Sequence, residues 1–215
     1  MRSLISYLIV MYRAGFAVLA GLTVLCAAEA EAQIPVLQSA ETVRAGTFKA
    51  ILAPTPSFGK NGADDQIGVA LRAGYGLTDR LDLEAKTAFF ENETMLGADL
   101  ELWAIRARPA NFSIAAGGHY MWASGDHLDV GSIDLIPQAS FHFSDGFELC
   151  TAVPVGFASV RDAPEGIDDS FTRVHLVPGV EFRLSDEADL EAEFGIGMND
   201  DSFHYLGLGI AFYLR

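Results

Sequence analysis

Charged and histidine residues in this 215-residue chain recur at every second position. Asp82, Glu84 and Lys86 stand two apart, as do Asp99 and Glu101, Glu181 and Arg183, and Glu191 and Glu193; Arg72 sits between Leu71 and Ala73. Side chains two apart on an extended backbone share one face, so these residues could line an interior. The candidate interior charges are Arg72, Glu84, Lys86, Glu101, Glu181, Arg183, Glu191 and Glu193. Two chemistries follow. Arg72, Lys86 and Arg183, each among carboxylates, could form a salt-bridged plug, because unpaired buried charge is costly. Alternatively, Glu84, Glu101, Glu191 and Glu193 could line a narrow cation-preferring pore.

Other chemistry finds less support. His119, His142 and His175 share the charged face, and a hydrolase would need such a histidine beside an acid and a serine. The spacing brings no Ser/His/Asp set together; His119 and His142 are expected at opposite ends of neighbouring segments, and Gly125-Asp126-His127 reads as a solvated loop. HExxH, CxxC and glycine-rich phosphate motifs are absent. No catalytic residue, cofactor or metal ligand is therefore assigned. Acidic clusters recur between the periodic segments: Asp64-Asp65, Glu91 to Glu93, Asp126 and Asp129, Asp162 to Asp169, and Asn199 to Asp201. They have the oxygen chemistry to bridge divalent cations to phosphate, but lack EF-hand spacing, so solvated loops are expected.

The positioning elements are strands. Period-two alternation runs through Thr47–Pro54, Gln66–Tyr75, Leu81–Phe90, Leu96–Arg106, Phe112–Trp122, Ser132–Phe143, Phe147–Val160, Thr172–Leu184, Leu190–Met198 and Phe203–Leu214. A phase shift near Trp103 predicts a bulge, and Pro137, Pro154 and Pro178 would each remove a ladder donor. Short turns follow the even-numbered strands and longer loops the odd-numbered ones. That asymmetry, with strands of membrane-crossing length, predicts an all-β, antiparallel up-and-down transmembrane β-barrel of ten strands, eight being the alternative. One face carries Ile67, Val69, Leu71, Leu100, Leu102, Ile133 and Leu135 and is assigned to lipid; the other carries glycine, alanine and charge and is assigned to a lumen. A soluble barrel with the opposite orientation is the competing arrangement. Aromatics near strand ends (Phe89, Phe112, Trp122, Phe141, Phe143, Phe147, Phe157, Phe171, Phe182 and Tyr213) are assigned to interfacial girdles.

Residues 1–32 read as a secretory signal peptide: Arg13 precedes the apolar run Ala14 to Ala28, and cleavage is expected after Ala32, after Ala30 being the alternative, with Met11 a tidier start. Residues 33–46 read as a lead-in and 47–215 as the barrel. Cys26 would leave with the leader and Cys150 would stand alone, so no intramolecular disulfide forms. The formal charge of −15 excludes a nucleic-acid partner.

The leader, the turn-into-strand segments DRLDL (Asp79–Leu83) and LSDEADL (Leu184–Leu190), and the closing GLGIAFYLR (Gly207–Arg215) resemble small bacterial outer-membrane β-barrel proteins. The resemblance spans Thr47 to Arg215 and is one of pattern. It implies residence in the outer membrane as a monomer among lipid and lipopolysaccharide, and assembly by the barrel-assembly machinery. By the same resemblance Leu206, Leu208, Ile210, Phe212 and Leu214 would form the assembly signal, although this chain ends Leu214-Arg215 rather than in an aromatic residue. Function is then expected to be structural, or passive transport of small solutes or cations. The alternatives are an adhesin or ligand-binding barrel acting through acidic loops, and a lipid- or peptide-modifying enzyme.

Overall fold

The computed structural model describes residues 35–59, 65–107, 109–124, 129–161 and 170–214. The strands are β1 (Phe48–Phe58), β2 (Gln66–Thr78), β3 (Leu81–Phe89), β4 (Glu93–Arg106), β5 (Ala110–Ala123), β6 (Val130–Ser144), β7 (Phe147–Ala152), β8 (Val155–Val160), β9 (Ser170–Ser185), β10 (Ala188–Gly197) and β11 (His204–Leu214). Each pairs antiparallel with its neighbours, and β11 returns to β1 with Phe48 opposite Leu214 and Leu52 opposite Ile210. The sheet is closed, so no strand presents a free edge.

The eleven strands make ten staves, because β7 and β8 occupy one position between β6 and β9. The seventh predicted strand is thus not continuous. It parts at Val153-Pro154, where proline cannot donate to the ladder. Hydrogen bonds bridge the break: Val153 N–H donates to Pro137 O at 3.0 Å, and His175 N–H donates to Pro154 O at 3.0 Å. Pro137 and Pro178 stay within β6 and β9. The bulge expected near Trp103 is present, as a register shift between Trp103 and Ile105. The last hairpin pairs Glu191 with Gly209 and Glu193 with Gly207. Tyr205 there lays its ring over Gly195, whose missing side chain makes the room.

The two faces separate as the alternation predicts. Ile67 is 81% exposed and Ile133 72%, whereas Arg72 and Glu84 are each 3% exposed. An outer surface of leucine, isoleucine and phenylalanine around charged interior walls reverses the arrangement of a soluble barrel and fits hydrocarbon outside. Phe143, Phe147 and Phe182 form a ring cluster at the short-turn end, with centroids 6.0 and 4.6 Å apart. Two girdle assignments are corrected. Phe171 and Tyr213 point inward, in phase with Arg173 and Lys49, and pack against the interior apolar cluster.

Polarity is not uniform inside. Towards the long-loop end, Phe90, Met95, Met121 and Val130 fill the interior with Leu37, Ile51 and small residues. Glu93 and Arg173 share that end, most of the other buried charges lie nearer the short turns, and residues 35–43, read from sequence as part of a lead-in, run inside the barrel against them.

Candidate functional site

The ladder brings the interior charges together because in-register and diagonal neighbours project to one side of adjacent strands. Arg72 on β2 pairs with Glu84 on β3, its in-register neighbour being Lys86. Lys86 bridges to Asp99 on β4 at 2.7 Å and reaches Asp134 on β6 at 3.6 Å. Asp134 also meets His119 Nδ1 at 2.7 Å and accepts from Ser132 Oγ at 2.8 Å. Glu101 accepts from Ser113 Oγ at 2.5 Å, and Lys49 closes the ring against Glu191 at 2.7 Å. Among the described residues ten buried carboxylates (Asp82, Glu84, Glu93, Asp99, Glu101, Asp134, Glu148, Asp189, Glu191, Glu193) face four buried cations (Lys49, Arg72, Lys86, Arg173).

The segment from Pro35 to Arg44 completes this lumen. Glu193 accepts the Val36 and Leu37 N–H groups at 2.7 Å each, one per carboxylate oxygen. Leu37 has φ 38°, in the left-handed region. Such a turn of the backbone aims successive N–H groups at one anion. Arg72 Nη1 donates to Pro35 O at 2.5 Å, Asp82 accepts the Val43 N–H at 2.7 Å, and Gln138 donates to Gln38 at 3.2 Å. Gly46 N–H then bonds Gly76 O and the chain turns into β1. Two cavities beside the segment, one along Val36 to Ser39 and one at Pro35 and Val36, measure about 20 Å³ and 10 Å³, no more than water-sized.

The short-turn end is open. A 590 Å³ cavity there is lined by Glu41, Asn111, His142, Glu148, Glu181 and Arg183 among others. His142 Nε2 lies 2.6 Å from Glu41, whose other contact is Asn111 Nδ2 at 2.8 Å, and His142 Nδ1 lies 3.5 Å from Glu148.

Neither a family model nor a curated protein sequence matches this chain. Solved structures do. An outer-membrane channel from Pseudomonas putida F1 superposes with a TM-score of 0.56 at 10% identity, over 86% of this chain and all (100%) of that one. A bacterial polysaccharide outer-membrane secretin gives 0.46 at 10% identity, over 80% of this chain and 100% of that one. The outer-membrane protein Ail of Yersinia pestis gives 0.42 at 12% identity, over 79% and 99%. The chain has the outer-membrane β-barrel fold. Identities this low carry the fold alone.

Within that fold the candidate charges fall into two groups. Arg72, Glu84, Lys86, Glu101, Glu191 and Glu193 are buried in the lumen. Glu181 lies beside them, directly opposite both Glu191 and Glu148 in register. Arg183 differs from expectation: it keeps the inward phase but sits on the short-turn rim with its side chain 58% exposed, 3.9 Å from Asp189, outside the central network. Of the proposed assembly residues, Leu208, Ile210, Phe212 and Leu214 are exposed on the outer face of β11 and Leu206 is half-buried there. Asp99 and Asp134, on the inward face by their phase, join the network although they are not among the candidate charges; Lys49, the sole base in its strand, was missed, and inward phase alone could have found it. The His119–Asp134 contact was also missed. His119 stands opposite Ser132, and Asp134 is the diagonal neighbour two residues on. This is not a hydrolytic triad, because Ser132 donates to Asp134 and not to His119.

Proposed function

We propose that the protein is a non-catalytic barrel of the bacterial outer membrane, closed at rest by its own N-terminal segment, with a structural role in that state. The observation that carries this is the grip of Glu193 on Val36 and Leu37 deep in the lumen, where the adjoining cavity is water-sized. An apolar layer towards the long loops supports it, since ions cross such constrictions poorly. On this reading the short turns face the periplasm, export uses the N-terminal signal, and the chain is a monomer in lipid and lipopolysaccharide. The barrel-assembly machinery then reads Leu206, Leu208, Ile210, Phe212 and Leu214.

The excess of buried carboxylates over cations favours one further role: passive passage of cations when the segment leaves. Planar-bilayer recording tests both. The full chain is expected to be silent, and a variant lacking residues 35–44 to conduct with cation preference. Glu84→Ala in that variant should weaken the preference. Steady conductance from the full chain would overturn closure, and a silent deletion variant would overturn passage.

A further inference from the structure

We propose that Glu41, His142 and Glu148 form a divalent transition-metal site, zinc being the best fit, that clamps the N-terminal segment to the barrel wall. The three come from three elements: Glu41 from the segment, His142 from β6 and Glu148 from β7. His142 and Glu148 are opposite one another in register, so the ladder itself presents both side chains to the same point. One donor atom from each of the three lies within 4.8 Å of the others. Glu41 meets the His142 ring at Nε2 and Glu148 meets it at Nδ1, so one ion needs the Glu41 carboxylate or the imidazole to turn until all three donors face the same point, roughly 3.4 Å apart around a tetrahedral zinc. The adjoining 590 Å³ cavity supplies an entry path and room for a water in the fourth position.

Two further observations point to a cation here rather than to a simple histidine–glutamate pair. The Glu148 side chain is only 6% exposed, and its Oε1 makes no hydrogen bond of normal distance and angle, although the Ser140 hydroxyl stands near enough to interact with the carboxylate. Glu148 also faces Glu181 directly across the β7–β9 pair, and Glu181 faces Glu191 across β9–β10. Like charges in register repel. Lys49 answers that row at its inner end, through Glu191. A dication at Glu148 would answer it at the mouth. Asn111 Nδ2, bonded to Glu41 at 2.8 Å, would orient that carboxylate as a second layer around the metal. One imidazole with two carboxylates suits zinc and its first-row neighbours, whereas calcium would take oxygen alone.

The clamp rests on residues 35–44 acting as a plug, while the metal site itself does not. Cys150 gives a native reporter of the plug, for it lines the small cavity against Val36, Leu37 and Gln38. Refolded protein in detergent, checked for folding by heat-modifiable migration, is dialysed against Zn²⁺, and bound metal is counted. One ion per barrel is expected in the full chain and in Cys150→Ser, and none in His142→Ala, Glu148→Gln or Glu41→Gln. The last lies outside every strand and cannot fail through the barrel. Cys150 modification by a small charged thiol reagent should slow about tenfold at Zn²⁺ near ten times its dissociation constant, with no slowing in Glu41→Gln. No bound zinc in the full chain, or binding by Glu41→Gln or His142→Ala equal to that of the full chain, overturns the site. Zinc bound at the site with unchanged Cys150 reactivity overturns the clamp. Bilayer conductance of the metal-free full chain reports closure separately, so the two readings fail by different results.

Discussion

The barrel wall and the segment inside it are held by different forces. In the wall each stave is bonded to two others through backbone ladders, as in the ten register pairs joining β1 to β2. Among the described residues the segment has one isolated bridge, Ala45 to Gly76, and a bond from the Thr42 hydroxyl to Asp79 O at 3.5 Å, and it hangs chiefly on side chains that the wall extends to it: Glu193, Arg72, Asp82, Gln138 and, at the mouth, His142. A ladder is lost only by unfolding the sheet. A handful of side-chain bonds can be lost one at a time, with the sheet intact. The wall is therefore the stable scaffold and the segment its removable part, which is the physical content of low local stability.

The largest effect should come from a residue that serves both regions. Arg72 carries Glu84 and approaches Asp99 at 3.9 Å while donating to Pro35. Arg72→Met leaves buried carboxylates without their cation and is expected to cost about 3–5 kcal/mol. Urea unfolding of the barrel in lipid vesicles, followed through Trp103 and Trp122, measures it. A shift in midpoint too small to resolve would mean that the wall does not depend on its central ion pairs. Glu193→Gln should separate the two regions. It weakens charge-assisted bonds to the Val36 and Leu37 N–H groups, about 2 kcal/mol, and Cys150 modification should quicken about thirtyfold. The wall's unfolding midpoint should barely move, and a large fall in it would show that segment and sheet form one cooperative unit. Asp82→Asn removes charge from a single bond, to Val43, so the same assay should quicken about fivefold.

The same contrast explains what could be read from the sequence. The wall was legible because strict alternation, from Gln66 to Thr78 for instance, needs only local spacing, and each strand repeats the message. Even the bulge at Trp103 showed as a slip in phase. The segment has no period. Its anchors are contacts such as Glu193 to Val36, 157 residues apart, which no local pattern encodes. A short polar stretch before the first strand looks the same whether it lies in water or in a lumen. The site at the mouth failed to show for a related reason. His142 and Glu148 could have been paired across their turn, but Glu41 comes from the aperiodic segment, and without it the pair is an unremarkable cross-strand contact.

The smallest effect should come from the stave that is split in two among the described residues. Pro154 stands opposite His175, and its carbonyl accepts the His175 N–H, so its missing N–H would have pointed to the same partner. Pro154→Ala restores that donor, worth about 1 kcal/mol. It also frees the unfolded chain that proline restrains, a loss of about 0.4–1 kcal/mol. The two oppose and nearly cancel, so the unfolding free energy should change by less than about 1 kcal/mol while β7 and β8 merge into one strand. Hydrogen exchange should show a slow new amide at position 154. A destabilisation well beyond that range would mean that the break relieves strain in the curved wall, and that the sector from β6 to β9 is held less by its ladder than the sector of unbroken strands from β1 to β5.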